Sequence, residues 1–171
     1  MKLKVKEITL FGLLGALMYA SKVAMQFLPN IHLIGTFIVA TTLVFRKKAL
    51  YPLYIYIFCE GLFGGFTAWW VPYLYVWAIL WGVVMLLPKN IPQKAKPFIY
   101  AGVSGLHGFL FGTLFAPAQA LLFGLDFKGM LSWIAAGLPF DIAHGVGNIL
   151  CGMLIMPMTA VLSRAEKEIN R

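Results

Sequence analysis

Residues 49–87 read ALYPLYIYIFCEGLFGGFTAWWVPYLYVWAILWGVVMLL, and this stretch decides the class of fold. Glu60 is its one charged residue, and basic residues stand outside its two ends, at 46–48 and at Lys89. A helix crosses the hydrocarbon core with about 20 apolar residues, so the stretch is long enough for two membrane helices. Strands of a membrane barrel would alternate apolar and polar residues, which these residues do not do.

The whole chain has the composition of a membrane protein. It has 171 residues, of which 61% are hydrophobic and 12% charged, whereas soluble domains average about 45–50% apolar and about 25% charged residues. We predict an all-α membrane protein, a bundle of six transmembrane helices that forms a single membrane domain over residues 1–171. The first apolar stretch is interpreted as a retained helix, because it is longer than a signal-peptide core and no clear cleavage site follows it. The predicted helices lie near 8–28, 33–45, 49–66, 70–87, 98–123 and 131–162.

The positive charges predict the orientation of this bundle. In a six-helix chain, almost every basic residue falls on one side, and only Lys128 falls in the opposite loops. Basic loops face the cytoplasm, so we predict that both the N-terminus and the C-terminus are cytoplasmic. The net charge of +8 is therefore assigned to topology and to contact with the lipid bilayer, and no nucleic acid partner is expected. The basic residues on that side are Lys2, Lys4, Lys6, Arg46, Lys47, Lys48, Lys89, Lys94, Lys96, Arg164, Lys167 and Arg171.

Polar side chains within the predicted helices collect in their outer halves. Such groups are costly in lipid and usually have a function, and a site that opens only to the outside would show this asymmetry. Asp141, His144 and Asn148 share one face of the last helix, because they are three and four residues apart. A few polar groups in an apolar pocket orient a small molecule. The candidate binding residues are Lys22, Asn30, His32, Glu60, Tyr73, Tyr75, Trp77, Asp141, His144 and Asn148.

Several of these residues have structural alternatives. Glu60 could pair with Lys22 to neutralise both charges, and the Asp141 face could be an internal polar network. Trp69 and Trp70, like other aromatic residues at a membrane boundary, could be interface anchors. His107 could simply form a hydrogen bond between helices.

Small residues recur every fourth position along the first helix, at Gly12, Ala16, Ala20 and Ala24. A stripe of this kind lets another helix approach closely. The approaching helix could belong to the same chain, or it could belong to a separate membrane subunit that docks on this face.

Motifs for catalysis, metals and nucleotides are missing from the sequence. There is no HExxH motif and no phosphate loop of the GxxxxGK[ST] type. Cys59 and Cys151 lack metal-ligand spacing and are interpreted as small apolar residues. We expect no catalytic residues, no metal and no cofactor.

Two segments and the small-residue stripe resemble the substrate-binding S components of energy-coupling factor (ECF) vitamin transporters. The segments are Trp70-Val-Pro-Tyr-Leu-Tyr-Val-Trp77 and Gly137-Leu-Pro-Phe-Asp-Ile-Ala-His-Gly-Val-Gly-Asn148. The resemblance implies capture of a vitamin-like molecule from outside a prokaryotic plasma membrane. It also implies docking of the stripe on a transmembrane T subunit, with two cytoplasmic ATPase subunits as further partners. The chain itself would then be a transport subunit and not an enzyme.

Other functions remain possible at this level. Asp141 and His144 could act as the acid–base pair of a membrane-embedded enzyme, although no nucleophile motif accompanies them. A small channel, a stand-alone transporter and an assembly subunit are further alternatives. Two carboxylates favour a cationic or donor-rich heterocycle as the substrate. Thiamine-like, pyridoxine-like and modified-base precursors are all compatible with the pocket, cobalamin is a further alternative, and the sequence does not choose among them.

Overall fold

The described part of the chain folds into helices without strands, as the sequence predicts. The computed structural model describes residues 3–171, apart from the side chain of Asn170, and 79% of the structure is helical. Lys2, one of the basic residues assigned to the cytoplasmic side, lies outside the described residues. The prediction of an all-α fold is confirmed.

Within the described residues the chain forms six helical stretches, and the last two are interrupted. The fifth, predicted over 98–123, breaks at Leu110, and the sixth, predicted over 131–162, breaks at Met153 and Leu154. A short 3-10 helix, Arg46–Ala49, connects α2 to α3. The α-helices are α1 Val5–Ala24, α2 Ile34–Phe45, α3 Leu50–Gly64, α4 Tyr73–Leu86, α5 Lys96–Phe109, α6 Phe111–Phe123, α7 Phe127–Gly152 and α8 Ile155–Asn170.

Local chemistry explains where several helices begin and end. The Asp126 side chain accepts a hydrogen bond from the Gly129 backbone N–H at 2.7 Å, which caps α7 and starts it earlier than predicted. Gly65 follows α3 with φ of +92°, and Gly124 follows α6 with φ of +64°. Glycine reaches positive φ without steric cost, so both helices end at these residues.

Three helical segments are long and apolar enough to cross a membrane. Within residues 3–171 they are Val5–Ala24, Lys96–Phe123 and Phe127–Gly152, where the second is α5 and α6 taken together. The shorter α4, Tyr73–Leu86, is also apolar. The protein is therefore a helical membrane protein.

Glycines allow the tightest helix contacts in the bundle. At Gly108 of α5, an added Cβ would lie 2.8 Å from the Cα of Gly145 in α7. At Gly15 of α1, it would lie 2.5 Å from Ile55 Cγ2 in α3. Small residues permit this approach of helix backbones in membranes, so they set how α5 meets α7 and how α1 meets α3.

Basic residues from separate segments gather at one end of the bundle, which we call the basic end. Lys48 pairs with the buried Glu7 at the start of α1. Arg46 donates from Nη2 to the Met85 carbonyl at the end of α4 at 3.1 Å. Lys22 and Glu60, at the far ends of α1 and α3, pair at the opposite end, which we call the cavity end.

Candidate functional site

Three adjoining cavities occupy the cavity end. The central cavity, between α6, α7 and the loops before α2 and α4, has a volume of about 380 Å³. A second cavity of about 230 Å³ lies beneath the loop 25–33 and shares Asn30, Phe111 and His144 with the central one. A third cavity of about 100 Å³ shares Trp69 with the central cavity and Tyr73 with the second. Because neighbouring cavities share lining residues, we describe the three together as one cavity region.

Aromatic rings form most of the wall of the central cavity. Phe115 and Trp133 lie parallel with ring centroids 6.0 Å apart, and Trp69 lies 5.4 Å from Phe115. Gly112, Ala136 and Gly137 leave the space open between the aromatic side chains, and the remaining lining residues are Asn30, Phe111, Phe140, Asp141 and His144. The volume and lining fall in the range of small-molecule sites, which are concave and mostly apolar with a few polar groups.

Asp141 of the neighbouring helix α7 binds the start of α6. Its Oδ1 accepts a hydrogen bond from the backbone N–H of Gly112 at 2.9 Å. The first N–H groups of a helix have no partner within that helix, so Asp141 on α7 acts as the cap of α6 and accompanies the break at Leu110. Its second oxygen, Oδ2, is buried and has no hydrogen-bond partner in the described part of the chain.

Two histidines meet where the central and second cavities join. The rings of His32 and His144 have centroids 4.8 Å apart, and Phe111 lies 4.7 Å from His144. Among the described side chains, neither His144 Nε2 nor His32 Nδ1 has a hydrogen-bond partner. Burial, reinforced by the charge of Lys22, lowers the pKa of His32, in the loop before α2, to about 4. This imidazole is therefore neutral near neutral pH.

Lys22 and Glu60 form an ion pair beside the second and third cavities. The Lys22 Nζ lies 2.6 Å from Glu60 Oε2, and the exposed fractions of the two side chains are 31% and 12%. The ammonium also lies 5.4 Å from the centre of the Tyr73 ring, within the range of a cation–π contact. The pairing left open by the sequence is thus present in the structure.

Seven of the ten predicted binding residues line these cavities, and three do not. The seven are Lys22, Asn30, His32, Glu60, Tyr73, Asp141 and His144. Trp77 is only 1% exposed. Its ring centroid lies 5.8 Å from that of His32 and 6.2 Å from that of His144, so it packs against these two cavity residues without lining a cavity itself.

Asn148 and Tyr75 instead make contacts between helices. Asn148 donates to the Ser104 carbonyl at 3.1 Å, one turn deeper than His144. Tyr75 donates to the Leu114 carbonyl at 2.8 Å. His107 Nε2 likewise lies 2.9 Å from the Val76 carbonyl oxygen. This is the hydrogen bond between helices that the sequence left open for His107.

The sequence reasoning missed much of the aromatic wall. The sequence left Trp69 open as an interface anchor and did not single out Phe111, Phe115, Trp133 or Phe140. Their spacing held a signal, because Phe111 and Phe115 are four residues apart and Trp133 lies on the helix face that also carries Phe140, Asp141 and His144. This face could have been found by extending the pattern of Asp141 and His144 toward the N-terminus of α7.

The small-residue stripe of α1 lies uncovered. Ala16, Ala20 and Ala24 are exposed, and an added Cβ at Gly12 would meet no atom within 4 Å among the described residues. Gly15, on a different face, makes the close contact with α3. The sequence left open whether another helix of this chain covers the stripe. In the described residues, no helix packs closely against it.

A larger groove, of about 560 Å³, runs along the outside of α3. It is lined by Lys47, Leu50, Tyr51, Tyr54, Ile55 and Phe58. Its one charged side chain stands at the basic end, and the rest of the lining is aromatic or aliphatic. The groove lacks the converging polar groups of a specific site, so the cavity end is the better candidate.

The described residues contain no group of three His, Cys, Asp or Glu side chains placed to hold a metal ion. Compared with known proteins, the chain matches no protein-family model, no curated protein sequence and no solved structure. Fold and cavity together define a helical membrane protein with a cavity of small-molecule size at one end of its bundle.

Proposed function

We propose that this protein is the substrate-binding S component of an ECF-type importer and captures a vitamin-like micronutrient from outside the cell. The observation that carries the proposal is the convergence of polar groups on one aromatic cavity region at one end of the bundle. In the described residues, four of these groups have buried polar atoms without hydrogen-bond partners: His32, Glu60, Asp141 and His144. Buried polar groups are normally paired, so unpaired atoms gathered around a cavity support a bound polar molecule.

The packing below the cavity favours capture over conduction. Trp77, Leu80 and Val84 of α4 are each 1% exposed or less, and they fill the bundle between the cavity region and the basic end. A channel would need polar groups or water along its whole length. A binding component that works with a partner needs only the open end.

The proposed topology has six spans with both termini in the cytoplasm. Under the positive-inside rule the basic end faces the cytoplasm, so the cavity end faces outward and can take up a molecule from outside. The uncovered stripe of Gly12, Ala16, Ala20 and Ala24 would then face the lipid, where a T subunit can dock on it. ATP hydrolysis would come from two cytoplasmic ATPase partners.

The test is mass spectrometry of small molecules released from the detergent-purified protein after expression in rich medium. Gly137→Leu provides the informative variant, because Gly137 lines the central cavity and an added Cβ meets no atom within 4 Å. Gly102→Leu is the matched control, since Gly102 is an exposed helical glycine of α5 with equally open surroundings.

The expected result is a stoichiometric, vitamin-like compound in the wild type and in Gly102→Leu, and its loss in Gly137→Leu. Retention of the compound by Gly137→Leu would place binding outside the central cavity. A wild-type protein that retains no compound from rich medium, and that fails to copurify with a T subunit when both are expressed together, would refute the proposed function.

A further inference from the structure

We propose that the cavity selects flat ring compounds that carry a hydrogen-bond donor and are neutral or cationic, and that it rejects anions. This inference rests on the proposed small-molecule function and specifies the chemical class of its substrate. Two observations support it: one oxygen of Asp141 is unpaired in an aromatic cavity, and Lys22 already forms an ion pair with Glu60.

The cationic side of the cavity region is already neutralised. Lys22 is the only lysine or arginine that lines the three cavities within residues 3–171, and its ammonium is bound to Glu60 at 2.6 Å. Drawing Lys22 toward an anionic ligand would leave the mostly buried Glu60 carboxylate without its partner, which is strongly unfavourable. His32 is neutral near neutral pH because its pKa is lowered to about 4, so it offers no positive charge either.

The negative side of the region is available to a ligand. Asp141 is 5% exposed, and its Oδ1 is held by the Gly112 N–H at the start of α6. The positive end of a helix dipole stabilises a carboxylate in this position. The other oxygen, Oδ2, has no partner among the described groups and can accept a hydrogen bond from an N–H, O–H or ammonium group. An anion placed there would meet a like charge in surroundings of low dielectric constant.

The walls of the cavity favour a flat ring beside that donor. Trp69, Phe111, Phe115 and Trp133 present aromatic surfaces to the same space as Asp141. Aromatic rings attract other rings in offset or edge-to-face arrangements and attract cations over their faces. The faces of these rings are electrostatically negative, so they attract a cation and give no such attraction to a carboxylate.

A matched ligand series tests the charge preference directly. Benzamidine, benzamide and benzoate have the same ring and the same number of heavy atoms, and they are cationic, neutral and anionic, respectively. Each is titrated into the detergent-purified full chain, and binding is followed by tryptophan fluorescence, since Trp69 and Trp133 line the cavity. We expect benzamidine and benzamide to bind at least about tenfold more tightly than benzoate. A tenfold difference in affinity requires only a fraction of the repulsion energy between two like charges in contact.

Variants connect the preference to the cavity. Gly137→Leu should weaken all binding, and Gly102→Leu should not change it. Asp141→Asn should reduce the preference for benzamidine over benzoate by about tenfold or more, since the repelling charge is gone. If Asp141→Asn does not fold, the wild-type series together with Gly137→Leu still decides the question.

Benzoate binding as tightly as benzamidine, binding unaffected by Gly137→Leu, or binding by none of the three compounds would overturn the inference. The proposed function fails separately. An anionic vitamin-like compound copurified with the protein would leave the function standing and overturn the charge preference. The reverse outcome is a protein that binds the series with charge selectivity but neither retains a compound from rich medium nor copurifies with a T subunit. That result would leave the charge preference standing and overturn the proposed function.

Discussion

The contact between α5 and α7 should be the most sensitive point of this fold, and Gly108→Ala tests it. The new Cβ would lie 2.8 Å from Gly145 Cα, 2.9 Å from Gly145 N and 2.9 Å from Asn148 Nδ2. Carbon atoms in good contact lie about 3.5–4.0 Å apart, so the two helices would have to separate by roughly 1 Å. Backbone atoms cannot rotate away as a flexible side chain can, which places the cost at the upper end of overpacking.

We expect that overpacking to cost about 3 kcal/mol. Replacing glycine with alanine in a helix returns up to about 1 kcal/mol, so the free energy of unfolding should fall by about 2 kcal/mol. Gly102→Ala is the matched control on the same helix, because its Cβ would meet no atom within 4 Å. It should leave stability unchanged or raise it by up to about 1 kcal/mol.

The assay is unfolding by titration with sodium dodecyl sulfate in mixed micelles, followed by far-UV circular dichroism. Each variant adds one methyl group to the same helix, so the contribution of intrinsic helix propensity cancels when their stabilities are compared. Gly108→Ala proving as stable as Gly102→Ala would refute the close packing of α5 on α7. It would also undermine the position of Asp141, which α7 carries four residues before Gly145.

Three further predictions concern the ion pair, Tyr75 and the stripe. Glu60→Gln removes the negative charge that balances the Lys22 ammonium. Because Lys22 is 31% exposed, we expect a loss of about 1–2 kcal/mol, below the range for fully buried pairs, and the same unfolding titration measures it. Tyr75→Phe removes a hydrogen bond at 2.8 Å and should cost about 1 kcal/mol without changing ligand affinity, since Tyr75 lies outside the cavities. Ala16→Leu combined with Ala20→Leu should leave folding and ligand binding intact, because both positions are exposed, and should block copurification with a T subunit.

Each of these has a clear contrary result. Unchanged stability in Glu60→Gln would mean that water already compensates the charge of Lys22. If the ion pair does contribute, the double variant Lys22→Met with Glu60→Leu should regain the stability that either single change loses. Weakened ligand binding by Tyr75→Phe would return that residue to the site. Loss of folding in the double leucine variant would show that the stripe is an internal packing surface after all.

The candidate site could be predicted from sequence only in part, and the last helix shows why. The three- and four-residue spacing correctly puts Asp141, His144 and Asn148 on one face of α7. That face is longer than the cavity, so Asp141 and His144 line it while Asn148 packs deeper against Ser104. Periodicity assigns residues to a face of a helix, but it does not say where along that face a neighbouring helix closes in.

The helix break at Leu110 was also beyond the sequence. The residues around it contain Gly112 and Pro117, and proline is the residue that usually kinks a helix. The interruption lies earlier, where Asp141 of another helix takes the Gly112 N–H. A partner that comes from 29 positions away leaves no local signal in the chain.

The sequence by itself determined that this is an all-helical membrane protein, because long apolar stretches need lipid and need helices to satisfy their backbone groups. It also determined that polar side chains lie toward one end of those helices, since composition and spacing follow directly from residue order. Only the tertiary structure decided that Lys22 pairs with Glu60 and that Asp141 keeps one oxygen unpaired. It alone decided that Gly15, and not the stripe of Gly12, packs α1 against α3. These outcomes depend on which helix faces approach each other, and that is set by packing between residues far apart in the chain.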